Sequence, residues 1–254
     1  MKIIFHENFL DPTYADNPAA SPGRIEPVVE SLGGYSGFEF APPRPADMLD
    51  ITRAHDRKYV NEATRDLAHF DMAMLAAGGA IAAAETAAGG EPAFACVRPP
   101  GHHASRASAW GYCMFCNVAV ALLRLKYRGL IESAAVLDFD AHTGDGSIDV
   151  LGAKWPEVKV FNPMADTAPL YIEKVKAFFE ELPDVDMIAV SAGFDIYEKD
   201  VGGRLSTQDF FTLGRIVRSH TRRRGHDRRF AVLEGGYYLK DLGKNVLSFC
   251  RGFE

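Results

Sequence analysis

Short apolar runs that alternate with helical patterns constrain the fold of this chain more than any other feature. Each run has the length of a strand and is rich in Val, Ile and Ala, which is typical of strands buried on both faces. The candidate strands are Ile3–Phe5, Phe94–Val97, Ala134–Leu137, Val158–Phe161, Met187–Val190 and Phe230–Leu233. Helical patterns lie between them, at Arg57–His69, Asn117–Tyr127, Tyr171–Glu181 and Gln208–Arg222. The alternation predicts an α/β fold in which one mainly parallel sheet is covered by helices on both faces, a three-layer αβα domain.

Two further patterns add to this prediction. The Ala/Gly-rich stretch Ala73–Gly90 has apolar residues at helical intervals and ends in two glycines, which predicts a tightly packed helix rather than a linker. Ser206 and Asp209 have the spacing of a capping box at the start of the last helical pattern. No repeat or low-complexity segment interrupts the 254 residues, so we expect a single domain over residues 1–254.

Charge and hydropathy exclude several classes of protein. The net charge of −6 argues against nucleic-acid binding, which normally requires a basic surface. We interpret the local basic run, Arg222–Arg224 with Arg228 and Arg229, as the solvated end of a helix and the turn after it. No apolar run approaches the length of a membrane span, and the first residues predict a strand rather than a signal peptide.

The cysteines indicate a reducing compartment. Four cysteines in 254 residues are too few for a disulfide framework, so the cytoplasm is the expected location. Cys113 and Cys116 form one CxxC without a second pair, which excludes a four-thiolate zinc site. A redox pair is the weaker interpretation of this motif, and two packed core thiols are the better one.

Unusual polar residues follow four of the candidate strands. Because the carboxyl ends of parallel strands meet at one edge of a sheet, these residues are expected to lie together. They are His102 and His103, the run Asp138-Phe139-Asp140-Ala141-His142, Asp195, and Tyr237.

The acidic run Asp138–His142, after the second of these four strands, predicts a metal site. Residues two apart in an extended chain point to the same side, so Asp140 and His142 can converge on one ion. A catalytic site needs three protein ligands and an open position, and Asp195 is the natural third ligand. The alternative is that these acids cap helices. However, several charges beside a dry sheet end cost several kcal/mol unless a cation compensates them.

The histidine pair and the tyrosine fit acid–base and oxyanion roles. His102 and His103 follow Pro99-Pro100-Gly101, and adjacent histidines suit proton transfer better than joint ligation of one ion. Two glycines precede Tyr237, whose hydroxyl could donate to a developing oxyanion. A surface histidine pair and a core tyrosine are the alternatives when each motif is taken alone.

Five ordered motifs resemble the histone deacetylase superfamily, which includes the acetylpolyamine amidohydrolases. They are RPPGHHA, GYCMFCN, DFDAHTGDG, SAGFD and EGGYYL, and the resemblance runs from about His6 to Leu239. It implies the arginase/deacetylase fold and a zinc ion held by Asp140, His142 and Asp195, with Fe²⁺ or Co²⁺ as substitutes.

The resemblance also implies a role for each remaining site residue. His103 would act as general base and then acid, and His102 would assist it. Asp138 and Asp145 would orient the two histidines. Tyr237 would stabilise the oxyanion, while Gly111 and Tyr112 would line the channel for the alkyl chain of the substrate.

Some segments depart from the family pattern. Thr143 replaces a histidine that is not a ligand, so catalysis should survive. Phe161-Asn162 lies near the place of a serine that helps bind potassium beside Asp138 in relatives, which puts a K⁺ site in doubt. The links 162–171 and 66–72 are short, so we expect an open, shallow site.

The motifs favour hydrolysis of N-acetyl-lysine or a similar acylated amine. Acetylpolyamine hydrolysis is the alternative, although a polyamine specialist would need a narrowed entrance, from an inserted loop or a partner subunit. A binding module without catalysis would require a lost ligand, and none is lost. A two-metal ureohydrolase would require further Asp and His ligands.

Overall fold

Seven parallel strands form one sheet in the computed structural model, which describes residues 1–254. Their order across the sheet is β2-β1-β3-β7-β6-β4-β5, and every neighbouring pair is parallel. The strands are β1 Lys2–Ile4, β2 Glu39–Ala41, β3 Ala93–Ala95, β4 Ala134–Asp138, β5 Lys159–Phe161, β6 Met187–Ala192 and β7 Arg229–Leu233. The predicted parallel sheet is confirmed, and β2 is an additional edge strand.

Nine α-helices cover both faces of this sheet, as the strand–helix alternation predicts. They are α1 Glu26–Gly33, α2 Met48–Ala54, α3 Arg57–Ala63, α4 Leu67–Ala88, α5 Asn117–Tyr127, α6 Asp145–Lys154, α7 Ala168–Glu181, α8 Thr207–Arg223 and α9 Leu239–Phe253. Helix α5 has the predicted bounds, and α8 begins with the predicted capping box of Ser206 and Asp209.

The prediction of one helix over Arg57–His69 is wrong. The segment divides into α3 and the start of α4, because Asp66 leaves the helical conformation and caps α4. Its carboxylate accepts a hydrogen bond of 3.2 Å from the backbone N–H of His69. Asp is a preferred residue at such a position.

Helix α4 is the Ala/Gly-rich helix, and it lies in the core. A Cβ on Gly78 would lie 1.9 Å from the Arg44 carbonyl oxygen, and one on Gly79 would lie 2.5 Å from Val97 Cγ1. The small residues therefore allow the close packing that the sequence indicates. By length and composition α4 could cross a membrane, but 72% of its most apolar window is buried inside the protein, as in a soluble core helix.

One expectation for the basic run is wrong. Arg222–Arg224 are exposed at the end of α8, but Arg229 is fully buried at the start of β7. Its guanidinium donates to the carbonyl oxygens of Phe253, at 2.7 Å, and Glu254, at 3.0 Å. Arg229 thus fixes the end of α9 instead of facing solvent. The four cysteines are buried and unpaired, as expected of core thiols.

The sheet brings the segments with polar residues to one edge. Asp138 at the end of β4 pairs with Ser191 in β6, and Ala192 pairs with Leu233 at the end of β7. The loops that follow these three strands therefore lie side by side at the carboxyl edge, where open parallel sheets build their sites.

Candidate metal centre and active site

Asp140, His142 and Asp195 converge at this edge. Their ligand atoms all lie within 4.8 Å of one another. His142 Nδ1 lies 3.0 Å from Asp140 Oδ1 and 2.9 Å from Asp195 Oδ2. Both carboxylates are buried, while the imidazole is half exposed. The predicted ligand set is thus present as a cluster with an accessible side.

Hydrogen bonds from the backbone orient the two carboxylates. Asp140 accepts from the N–H groups of His142, at 2.9 Å, and Gly235, at 3.0 Å. Asp195 accepts from the N–H of Ala141 at 2.9 Å through Oδ1, whereas its buried Oδ2 has only His142 Nδ1 beside it, at 2.9 Å. A buried carboxylate oxygen with so few donors is costly. Oδ2 lies next to the other two predicted ligands, where it fits a divalent ion.

Glycines leave room for these carboxylates. A Cβ on Gly193 would lie 2.1 Å from Asp140 Oδ2, and one on Gly235 would lie 2.6 Å from the same atom. Any side chain at either position would displace a ligand. The small residues therefore form a cradle around the predicted ligands, and this fit agrees with a bound cation.

Neighbouring charges and burial shift the pKa values of the predicted ligands. Burial, together with the charge of Asp140, raises the pKa of Asp195. Hydrogen bonds to Asp140 and then to Asp195 raise the pKa of His142 to about 10. A divalent ion would compensate the same two carboxylates, and its ligation would require the neutral imidazole of His142.

Each of the paired histidines contacts its own carboxylate. His102 Nδ1 lies 3.1 Å from Asp138 Oδ2, and His103 Nδ1 lies 2.7 Å from Asp145 Oδ1. Both imidazoles are buried. Both histidines line the cavity, and His102 Nε2 lies 3.7 Å from Asp140 Oδ2. A carboxylate on Nδ1 is an arrangement that orients a histidine for proton transfer through Nε2.

The two histidines differ in their affinity for a proton. Burial lowers the pKa of His102, but the charges of Asp140 and Asp138 outweigh burial and hold it well above its usual value. Burial, followed by the charge of His102, lowers the pKa of His103. The environments push the two pKa values in opposite directions, which favours the neutral form at His103 and so favours His103 as the histidine able to accept a proton.

Glu234 supports the histidine loop and was not identified in the sequence. Its Oε2 accepts hydrogen bonds from the N–H groups of Gly101, at 2.7 Å, and His102, at 3.2 Å. Burial raises the pKa of this carboxyl to about 7. Glu234 lies directly before two glycines at the end of a buried strand, and this position in the sequence could have indicated a role in the site.

Tyr237 lies in the wall of a cavity of about 540 Å³. The cavity is lined by Pro18, Pro100, His102, His103, Trp110, Gly111, Tyr112, Asp140, His142, Val201, Gly235 and Tyr237. The Tyr112 and Tyr237 rings meet edge to face, with centroids 6.0 Å apart. The buried Arg24 guanidinium donates to the Glu234 and Gly236 carbonyl oxygens, and so fixes the loop that carries Tyr237.

Asn162 lies where the sequence raised the question of potassium. Its Nδ2 donates to the carbonyl oxygen of Asp138 at 3.3 Å, and its buried Oδ1 has no partner. The amide donor thus faces the Asp138 carbonyl, so this contact lends no support to the K⁺ site that the sequence puts in doubt.

The structure brings all the predicted site residues to one place. Asp140, His142, His102, His103, Gly111, Tyr112 and Tyr237 line the cavity, while Asp195, Asp138 and Asp145 contact residues that do. Sequence reasoning missed Glu234, Trp110 and Arg24 as contributors. Arg24 lies within the SPGR segment that entered the resemblance, but no role was predicted for it.

Comparisons with known proteins identify the family of this chain. Residues 18–171 match the model of the histone deacetylase domain, which is more than half of the chain. The chain belongs to this family. It is 28% identical to a histone deacetylase-like amidohydrolase of Pseudomonas aeruginosa, over 96% of this chain and 80% of that protein. It is 30% identical to an acetylpolyamine amidohydrolase of Burkholderia pseudomallei, over 68% of this chain and 60% of that protein.

Solved structures agree on the fold. The crystal structure of acetylpolyamine aminohydrolase from Burkholderia pseudomallei superposes with a TM-score of 0.84, covering 100% of this chain and 98% of that one at 22% identity. This confirms the predicted arginase/deacetylase fold. Family membership supports a hydrolase that deacetylates amides, and the ligand cluster supports a metal ion.

Proposed function

We propose that the chain is a zinc-dependent deacylase that hydrolyses an N-acyl amide, with N-acetyl-lysine or a similar acylated amine as substrate. One observation carries the proposal: three potential ligands meet within 4.8 Å at a cavity that also holds two carboxylate-bound histidines and a tyrosine. Asp140, His142 and Asp195 would hold the ion. Two carboxylates and an imidazole suit Zn²⁺, with Fe²⁺ or Co²⁺ as substitutes.

When bound by these three residues, a divalent ion would supply Lewis-acid chemistry, polarising a carbonyl and lowering the pKa of water. His103 takes the proton of the attacking water at Nε2, because its Nδ1 is committed to Asp145. His103 then passes this proton to the nitrogen of the leaving amine. His102, held by Asp138, supplies positive charge beside the reacting carbon.

Tyr237 would donate its hydroxyl proton in a hydrogen bond to the oxyanion that forms from the scissile carbonyl. Burial raises its pKa, so the hydroxyl stays protonated and available at neutral pH. Oxyanion donors of this kind contribute roughly 10²–10³ in turnover. Gly111 and Tyr112 line the path along which the alkyl chain of the acylated amine would enter.

Hydrolysis of acetylpolyamines is the second candidate. The relative named acetylpolyamine amidohydrolase, at 30% identity, favours it. Against it, Asp140 is the only carboxylate among the residues that line the cavity, and this proposal assigns it to the metal. The walls therefore offer no separate anion for the free ammonium group of an acetylpolyamine.

The four buried, unpaired thiols support the reducing cytoplasm as the compartment.

The test is turnover of an acetyl-lysine peptide together with metal analysis. We expect one divalent ion per chain, loss of hydrolysis on chelation and recovery with Zn²⁺. His103→Ala should abolish hydrolysis while the ion stays bound. Full activity of a metal-stripped sample would contradict metal dependence, and binding of the peptide by the metal-loaded chain without hydrolysis would indicate a recognition module.

A further inference from the structure

Trp110 contacts both members of the His103–Asp145 pair. Its indole Nε1–H donates a hydrogen bond of 2.9 Å to Asp145 Oδ2, the oxygen that His103 does not use. Its ring also stacks on His103, with centroids 3.7 Å apart and planes inclined by 30°. We propose that Trp110 is a positioning residue for the proposed reaction, holding the Asp145 carboxylate and the His103 imidazole in one fixed unit. This inference rests on the function proposed above.

Comparison with the other histidine shows why such a residue is needed. Asp138, the partner of His102, is fully buried, and its second oxygen accepts from the backbone N–H of Asp140 at 3.2 Å. The side chain of Asp145 is 49% exposed. A carboxylate open to water on one side can rotate and exchange partners. The indole N–H engages the remaining oxygen of Asp145, and so replaces the restraint that burial gives Asp138.

The local backbone holds the indole against the histidine. Gly111 and Tyr112 both adopt the left-handed conformation, with φ of 59° and 69°. A Cβ on Gly111 would lie 2.4 Å from His103 Cδ2, so the chain passes directly over the imidazole. A left-handed conformation for a bulky residue such as Tyr112 is strained and requires support from its surroundings. Packing of Trp110 on His103 supplies a contact at this bend.

Exposure of Trp110 argues against a purely structural role. The residue is 55% exposed and lines the cavity, and a large apolar surface left in water contributes little to the core. Its N–H points to the carboxylate instead of to solvent. Loss of a side chain that orients a reacting histidine typically lowers activity by about 10- to 100-fold.

Turnover of the metal-loaded enzyme tests the proposal. Trp110→Phe keeps an aromatic face but removes the N–H, and should lower kcat by about tenfold with KM changed little. Trp110→Ala should lower it further. Trp155→Phe is the matched control, because Trp155 is the only other tryptophan and packs in the core beside Lys126, away from the cavity. A raised KM at unchanged kcat would show that Trp110 only contacts the substrate in the cavity, and this would overturn the proposal.

A double variant tests whether Trp110 acts through Asp145. If it does, Trp110→Phe should cost little more once Asp145→Ala is present, because the partner of the N–H is already gone. If the fall in kcat of the double variant equals the product of the two single falls, Trp110 and Asp145 act independently, which would contradict the proposal.

Fluorescence provides a readout that needs no substrate. In the Trp155→Phe background Trp110 is the only tryptophan, and Asp145→Ala should shift its emission to the red and increase quenching by acrylamide. The unchanged emission of that variant would overturn the proposed contact. If the enzyme cleaves no acyl amine but this fluorescence response is observed, the proposed function is refuted. The contact of Trp110 with Asp145 and His103 would still stand.

Discussion

The backbone N–H of Gly235 donates a 3.0 Å hydrogen bond to Oδ2 of Asp140 and so joins the loop after β7 to the ligand that follows β4. Two residues beyond Gly235, the same loop carries Tyr237. One short segment therefore orients a metal ligand and places the proposed oxyanion donor. Changes at Gly235 should affect both properties.

Gly235→Ala should abolish metal binding. The new Cβ would lie 2.6 Å from Asp140 Oδ2 and 2.9 Å from Asp195 Cγ, so one of the two carboxylates must move. Metal content measured after gel filtration checks this. The matched control is Gly152→Ala within α6, where no atom lies within 4 Å of the added Cβ. That variant should keep its metal and gain about 0.5–1 kcal/mol of stability. Normal metal content in Gly235→Ala would contradict the cradle.

Zinc should stabilise the folded chain through Asp195. An ion that binds only the native state adds about 2.7 kcal/mol at a concentration 100 times its Kd. For a domain of this size that corresponds to a rise in Tm of roughly 5–10 °C. Asp195→Asn should abolish the rise, whereas Asp184→Asn, at an exposed ion pair with Arg224, should retain it. Thermal melts with and without Zn²⁺ measure this rise in Tm for each variant. An equal rise in both variants would show that Asp195 is not a ligand of the ion.

Tyr237→Phe should lower kcat by roughly 10²–10³ with little loss of stability. The hydroxyl is the only group removed, and its proposed acceptor exists only during the reaction. Tyr238→Phe is the adjacent control and should retain turnover, because Tyr238 does not line the cavity. A core role for Tyr237 would show the reverse, with a lower Tm and nearly normal turnover.

The pattern of the sequence predicted the parts of this protein that depend on periodicity. Continuous apolar runs identify buried strands, and the alternation in Asp138-Phe139-Asp140-Ala141-His142 places two ligands on one side of an extended chain. Strand β2 has no such run, because Glu39 and Phe40 lie exposed at the edge of the sheet. Its pairing with β1 is a tertiary contact that no local pattern indicates.

Two omissions have different causes. The last helix, α9, buries Leu242, Val246, Phe249 and Phe253 at helical spacing, so its signal was present in the sequence. Trp110 gave no signal, because a single aromatic residue in a polar loop is typical of a surface. Its role depends on the distance to Asp145, a residue 35 positions away, which only the fold determines.

His55 should make the protein sensitive to acid. Its Nδ1–H donates to the Ser105 carbonyl oxygen at 2.8 Å, and its Nε2 accepts from the N–H of Cys116 at 2.9 Å. Burial lowers the pKa of His55 from 6.5 to about 4. The unfolded chain therefore binds a proton below pH 6.5 that the native state does not bind until about pH 4.

The free energy of unfolding should accordingly fall as pH decreases from 6.5 to 4, with His55 contributing up to about 3 kcal/mol of the loss. His55→Gln keeps a donor and an acceptor but cannot titrate, so its stability should fall less steeply over this range. Denaturant unfolding at pH 7 and pH 5 measures the difference. The same slope in both proteins would show that His55 does not carry the effect.

The substrate preference should follow the charge of the cavity. Its single lining carboxylate, Asp140, is assigned to the metal, so the free ammonium group of acetylputrescine would find no partner in the walls. The net charge of −6 attracts cations only through long-range steering, which salt weakens. The short link between β5 and α7 leaves the rim of the cavity with few residues that could bind the backbone of a peptide.

We therefore expect acetyl-lysine peptides of varied flanking sequence to be hydrolysed with similar kcat/KM, at least as well as acetylputrescine or acetylspermidine. Measurement of kcat/KM at low and high salt compares these substrates. A hundredfold preference for a polyamine, about 2.7 kcal/mol in the transition state, would reverse the order of the two candidate functions.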